Sequence, residues 1–254
     1  MMPALPDLNN DRVRGILLDI EGTTTPIDFV YKVLFPFARE KAQDYLTRNW
    51  TSTEVQLDLS NLADEQAADL RQGLDPPALG GASVADQIES TVAYLHWLMD
   101  RDRKSTPLKS IQGKIWQNGY DSGELRSEVF EDVPPALERW RRQGKLVSIY
   151  SSGSVLAQQL LFAHTMAGDL TKYLFRYFDT TIGMKIESAS YRRIADALRL
   201  APAEIIFVSD VTAELDAARA AGLQTVLAVR PGNRPVSPSE DYPAITTFEL
   251  TSDL

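Results

Sequence analysis

Gly15-Ile16-Leu17-Leu18-Asp19-Ile20-Glu21-Gly22-Thr23-Thr24-Thr25 is the stretch that decides how the rest of the chain is read. A short apolar run stops at a carboxylate, a second carboxylate stands two residues on, and Gly-Thr follows. Consecutive apolar residues between a glycine and a turn-forming cluster predict a buried, parallel strand over residues 16–20. Asp19 then stands where the strand emerges, and open α/β sheets bind ligands beyond the carboxyl ends of their strands. A carboxylate there is able to attack phosphorus. Glu21 points to the same side while the chain stays extended, which suits it to general acid-base work. The competing reading is a strand closed by an Asp-Gly type turn, with Asp19 and Glu21 both solvated.

Three more apolar runs share this strand character: Leu146–Tyr150, residues 204–208 and residues 225–229. Each follows a helix-like segment. Pro134-Pro135 opens one helix and Gly144 is placed to end it. Ile186, Ile194 and Leu198 recur at helical spacing, and the Ala-rich residues 212–221 stop at Gly222. Strands alternating with helices of this length predict βαβ units and a mostly parallel, Rossmann-like sheet.

Well over a hundred residues separate the first two strands, far more than a crossover needs. Val84, Ile88, Val92, Leu95 and Met99 form one stripe behind Ser83 as N-cap. Val30, Val33, Leu34, Phe37 and Ala38 suggest a helix kinked at Pro36, with Tyr45, Leu46 and Trp50 beyond it. Residues 51–73 are acidic and read as a solvated helix and turn. The expectation is an α/β core over 1–25 and 129–254 and an inserted helical cap over 26–128. That cap would select substrate and exclude water. Gly113, Lys114, Trp116, Gly119 and Tyr120 either face the site or simply pack. His96 and His164 have no metal-like spacing and read as packing or surface residues.

Composition narrows the function. The 254 residues are 44% hydrophobic and 24% charged, ordinary for a soluble globular chain. Thirty-five acidic against 26 basic residues leave a net charge of -9, which argues against nucleic acid or an anionic membrane as partner. A small phosphate remains compatible, because a metal and a lysine reverse the field locally. With no cysteine, thiolate nucleophiles and thiolate metal sites are excluded. The opening residues Met1 to Asp7 lack a basic segment followed by an apolar one, and no apolar run is long enough to span a bilayer. A cytoplasmic location is the expectation.

Further polar residues fall at or near the ends of the other strands. Ser151-Ser152-Gly153-Ser154 precedes a helix, where hydroxyls and backbone amides make a natural phosphate site, or else a plain serine cap. Lys185 stands before another helix and would neutralise phosphate charge, unless it is a solvated surface lysine. Asp210 follows the third run, either joining Asp19 around a cation or capping a helix, with Glu214 one turn later. Arg230-Pro231-Gly232-Asn233 either borders the site or is a simple turn.

Taken together, Asp19, Ser151, Lys185 and Asp210 resemble the haloacid dehalogenase-like superfamily of phosphohydrolases. The stretch from Asp19 to Ile27, with Glu21 where most such phosphatases carry Asp, is similar to the narrower family of enolase-phosphatases of methionine salvage. So are Leu34-Phe35-Pro36-Phe37, the run from Leu108 to Trp116, Ile149 to Ser154, Phe178 to Gly183, and Val229 to Asn233. The resemblance runs from about Arg14 to about Phe248.

This resemblance implies a monomer with one Mg²⁺ per chain, held by Asp19, Asp210 and the backbone carbonyl of Glu21. Ser151, Ser152 and Lys185 would bind the substrate phosphate. The implied substrate is 2,3-diketo-5-methylthiopentyl-1-phosphate, enolised and then dephosphorylated to acireductone. Glu21 is the candidate base, and Asp19 is either nucleophile or metal ligand alone. The rival readings are a phosphatase or phosphomutase for another small phosphomonoester, a haloacid dehalogenase, and a non-catalytic binding module.

Overall fold

The computed structural model describes residues 8, 10–235 and 242–249. The opening residues read for a leader pattern lie outside the described residues, apart from the sequence itself. The chain begins with β1 (Gly15–Leu18) and the short α1 (Ile27–Phe29). It continues through α2 (Phe35–Asn49), α3 (Thr53–Arg71), α4 (Val84–Asp100) and α5 (Thr106–Ser122). It then returns as α6 (Val133–Arg142), β2 (Leu146–Tyr150), α7 (Val155–Ala163) and β3 (Arg176–Phe178). Next come α8 (Ser188–Leu198), β4 (Ile205–Ser209), α9 (Thr212–Ala220), β5 (Gln224–Ala228) and β6 (Ala244–Ile245). Two compact units result: Met1–Lys32 with Arg126–Leu254, and Val33–Leu125.

The first unit is built on one parallel sheet in the order β3-β2-β1-β4-β5-β6. The order turns at β1, because the chain builds outward to β2 and β3 on one side and to β4, β5 and β6 on the other. A crevice opens at such a switch point, beyond the carboxyl ends of the strands. Register places Leu18 beside both Ile149 and Val208, so the residues after β1, β2 and β4 emerge together. Leu17, Tyr150, Phe207, Tyr191, Ile194, Leu198 and Leu215 belong to one buried cluster that anchors α8 and α9 to the sheet.

Local chemistry moves several predicted boundaries. β1 ends at Leu18 and not at residue 20, because the Ile20 carbonyl accepts the N–H groups of Thr23, Thr24 and Thr25 and turns the chain. Glu21 therefore does not continue the strand's alternation. β4 starts one residue later than expected, since Glu204 closes a 3₁₀ turn after Pro202 and bonds back to Ala201 N–H (2.8 Å). β5 starts and ends one residue earlier, leaving Val229 exposed. Ile186 lies outside α8 and is exposed, so its helical spacing with Ile194 was coincidental. Asp210 is not a helix cap: Val211 is the N-cap of α9.

The second unit is helical. Ser52, Ser83 and Ser105 cap α3, α4 and α5, and Ser83 with Asp86 forms a reciprocal capping box. Ahead of Pro36 the chain winds as a π turn, Val30–Leu34, and Pro36 falls in the first turn of α2. A proline has no N–H to give and its ring crowds the carbonyl four residues back, which the wider turn accommodates. α3 is less solvated than its acidity suggests. Asp69 is fully buried and takes hydrogen bonds from Arg103 (2.8 Å) and Tyr94 (2.9 Å), while Asp58 pairs with Lys114 (2.6 Å). Trp116 donates to the Leu34 carbonyl (2.8 Å), and a Cβ on Gly119 would meet the Phe37 ring at 2.5 Å. Both residues pack within this unit. His96 sits against the Arg39 carbonyl (3.1 Å), also a packing role.

Candidate active site

The site is built from the loops that leave β1 and β4 and from the segment before α8. Asp19 follows β1 directly and is 5% exposed. Its Oδ1 accepts the Ile20 N–H (2.8 Å), and its Oδ2 accepts the Ser209 hydroxyl (3.2 Å). Thr24 Oγ1 donates to the Asp19 carbonyl (3.1 Å), tying the start of the loop to its far side. Gly22 holds φ +65°, a conformation that L residues adopt at a cost. A Cβ there would stand 2.4 Å from Asp210 Oδ2, so only glycine lets the loop lie against Asp210.

Lys185 is the electrostatic centre. Its side chain is 10% exposed, with Nζ 2.7 Å from Asp19 Oδ1 and 2.6 Å from Glu214 Oε2. Ser209 Oγ also approaches Glu214 Oε2 (3.0 Å), so one hydroxyl touches both acids. Its single proton serves one of them at a time. Lys185 is aimed by its own backbone. Tyr191 donates to the Lys185 carbonyl (2.7 Å), Ser190 to that of Met184 (2.8 Å), and Tyr150 to that of Gly183 (2.9 Å). The ammonium also lies 5.9 Å from the Tyr150 ring centre.

These groups set each other's ionisation. Burial alone would pull the Lys185 ammonium down, but the carboxylates of Asp19 and Glu214 outweigh it and hold the amine protonated. Burial pushes Glu214 up to about 7, assisted by the charge of Asp19 and opposed by Lys185. Burial, then the field of Asp19, pushes Asp210 up to about 6.

Asp19, Lys185 and Glu214 are thus in contact, and Asp210 stands within the field of Asp19 beside Gly22. Glu21 is half-buried in the turn that follows. Ser151 follows β2, is 5% exposed and accepts the Gly153 N–H on its Oγ (3.2 Å). Ser154, not Ser151 or Ser152, caps α7. Among the described residues, no hydrogen bond joins Ser151 or Ser152 to Lys185 or to the carboxylates. Sequence reasoning missed Ser209, whose hydroxyl becomes informative only when register puts it beside Asp19. It also missed Tyr150 and Tyr191, which look like ordinary core aromatics.

The donor set suits a hard divalent cation. Asp19 and Glu214 share the Lys185 ammonium, while Asp210 is buried in the field of Asp19 with no ion-pair partner among the described residues, so a divalent charge there would relieve both its burial and that repulsion. Oxygen donors from two carboxylates with the rest supplied by water and substrate are typical of Mg²⁺. Among the described residues, no group of three or more histidine or acidic side chains is arranged to hold a metal without such help.

Similarity to known proteins agrees with this geometry. The haloacid dehalogenase-like hydrolase family matches residues 13–222. The chain is 51% identical over 237 residues to enolase-phosphatase E1 of Synechococcus elongatus, covering 93% of this chain and 97% of that protein. A probable bifunctional methylthioribulose-1-phosphate dehydratase/enolase-phosphatase E1 of Arabidopsis thaliana is 46% identical over 239 residues, 92% of this chain and 47% of the longer protein. Among solved structures, the UTR4 protein of Saccharomyces cerevisiae superposes with a TM-score of 0.75 at 34% identity, covering 94% of this chain and 99% of that one. The chain is an enzyme that belongs to the haloacid dehalogenase-like hydrolases and, within them, to the enolase-phosphatase family.

Proposed function

We propose that this enolase-phosphatase is Mg²⁺-dependent and acts on 2,3-diketo-5-methylthiopentyl-1-phosphate, enolising the diketone and then removing its phosphate to leave acireductone. The observation that carries the reading is the cluster at the carboxyl ends of β1 and β4, where Lys185 bridges Asp19 and Glu214 and Asp210 stands beside them in the field of Asp19. In this reading Asp19, Asp210 and the Glu21 carbonyl hold the cation, which supplies charge neutralisation and polarises substrate oxygens when bound.

The chain's own residues do the remaining work. Lys185, kept protonated by its two acids, offers a fixed positive charge to the transferring phosphoryl group. Ser151 and Ser152, ahead of α7, hold the phosphate oxygens through hydroxyl and backbone N–H groups. Glu21 takes the carbon-bound proton in the enol step. Asp19 and Glu214 orient Lys185, and Ser209 spaces them. The helical unit Val33–Leu125 is the inserted cap of this reading, and the enzyme works as a cytoplasmic monomer. No helix among the described residues is long and apolar enough to cross a membrane.

The test is to supply the diketone phosphate with Mg²⁺ and follow absorbance and free phosphate together. The expected record is a rise and then a fall of the enol band, with phosphate appearing in the second phase and neither phase in EDTA. Phosphate release with no enol phase would identify a phosphatase that acts without the enolase step. A full-rate enol phase in Glu21→Gln would remove Glu21 as the base.

A further inference from the structure

Arg230-Pro231-Gly232-Asn233, the segment after β5, has no part in the reaction described so far. It is a turn, closed by the Asn233 N–H donating to the Arg230 carbonyl (3.1 Å). It also reaches the loop after β1 from both its ends. Arg230 is 5% exposed and donates from Nε to the Thr23 carbonyl (3.1 Å). Its Nη1 donates to Asp132 (2.7 Å) and to the Thr246 carbonyl (2.8 Å), and its plane lies over the rings of Phe130 and Phe248. Asn233 Nδ2 donates to the Gly22 carbonyl (2.9 Å) and back to the Ala228 carbonyl (3.3 Å).

The effect falls on the peptides around Gly22. The Glu21–Gly22 peptide is fixed by Gly22 N–H donating to the Thr25 carbonyl (2.9 Å), and the Gly22–Thr23 peptide is fixed by Asn233. Because peptides are planar, two such anchors set the direction of the Glu21 carbonyl. That carbonyl is a cation ligand in the reading above.

The other end of the Asn233 amide supplies a second observation. Oδ1 is buried and accepts no hydrogen bond. Its orientation is not arbitrary, since both partners of Nδ2 are carbonyls and demand the donor end. Oδ1 lies 2.8 Å from the point where a Cβ on Gly22 would stand, and Asp210 Oδ2 lies 2.4 Å from the same point. Two acceptor oxygens therefore converge beside Gly22. Buried acceptors are nearly always satisfied, so a group that brings protons to this spot is called for. A water carried by a cation on Asp210 is such a group.

We propose that Asn233 is a positioning residue of the cation site: Nδ2 aims the loop carbonyls through Gly22, and Oδ1 accepts a hydrogen bond from a cation-bound water. The inference rests on the Mg²⁺ reading of Asp19 and Asp210. Arg230 is the rigid base from which the turn extends.

The test is calorimetric titration of Mg²⁺ into the wild type, Asn233→Ala, Asn233→Ser and Asp210→Asn, with thermal melts in EDTA. Both Asn233 variants should lose affinity by about 10- to 100-fold, the range for partners that hold a metal's ligands. Their EDTA melts should stay close to wild type, and activity should return at high Mg²⁺. Wild-type affinity in either folded Asn233 variant, with binding lost in Asp210→Asn, overturns the role of Asn233 and keeps the Mg²⁺ reading. Undiminished binding in Asp210→Asn overturns both. If affinity and the EDTA melting temperature fall in step, Asn233 serves the fold alone and the inference is wrong.

Discussion

Replacing Lys185 by Met should destabilise the metal-free enzyme in a strongly pH-dependent way. The ammonium is the only positive partner, among the described residues, in contact with Asp19 and Glu214, whose side chains are 7% and 12% exposed. Removing one member of a buried ion pair costs about 3–5 kcal/mol, because the charge left behind keeps its desolvation penalty. Here two carboxylates are left behind, facing each other across Ser209. Glu214 has a folded pKa of about 7 against an ordinary 4.5, so its contribution to stability is present at low pH and is lost as pH rises through about 7. Without Lys185 its pKa rises further, so the penalty grows with pH. Urea unfolding in EDTA should show a smaller loss near pH 5.5 than near pH 8, where it reaches about 3–5 kcal/mol. Adding Glu214→Gln to the variant should return much of the loss at the higher pH. An equal loss at both pH values, or a loss below about 1 kcal/mol near pH 8, would refute the argument.

Asp210→Asn should stabilise the metal-free enzyme while abolishing its response to Mg²⁺. Asp210 is raised from 3.8 to about 6, so its contribution to stability is present below about pH 4 and lost through about pH 6. That displacement is worth about 3 kcal/mol at full burial, or about 2 after allowing for partial solvent access. Urea midpoints for the two proteins in EDTA should diverge across that window, and parallel curves would show the carboxylate to be unstressed. Gly22→Ala should cost about 1–2 kcal/mol from its positive φ and lower Mg²⁺ affinity, since its Cβ would displace Asp210 Oδ2 and Asn233 Oδ1. Calorimetry and a melt check both parts, and wild-type affinity would show that the loop has room to yield.

Much of this architecture is legible in the sequence because the core strands are apolar runs that stop at polar residues. Asp19, Lys185 and Asp210 stand out as chemistry-bearing residues beside such runs or helix starts, where local pattern is strongest. What the pattern misses depends on distance in space. Ser209 matters through β1–β4 register, while the Arg230–Asn233 segment, legible only as bordering the site or simply turning, is decided by the contact of Asn233 with Gly22, 211 positions away in the chain. β3 and β6, with three and two residues, are too short to show a period. Pro36 signals a disturbance of the helix, yet the type of disturbance depends on how the preceding turn packs. Extrapolating strand alternation to Glu21 fails because one carbonyl, that of Ile20, gathers three N–H groups and bends the chain.

The shortness of the outer strands has a bearing on how the protein behaves at high concentration. A parallel sheet exposes unpaired backbone donors and acceptors only along its two margins, and these invite other chains to add on. Among the described residues the margins are β3, three residues with Arg176 exposed at its start, and β6, two residues. Neither offers a ladder long enough for a second chain to grip. Together with a net charge of -9, this makes edge-to-edge fibril growth from the native state unfavourable. The longer and stickier strands, β1 and β4, lie in the middle of the sheet and become available only when it opens.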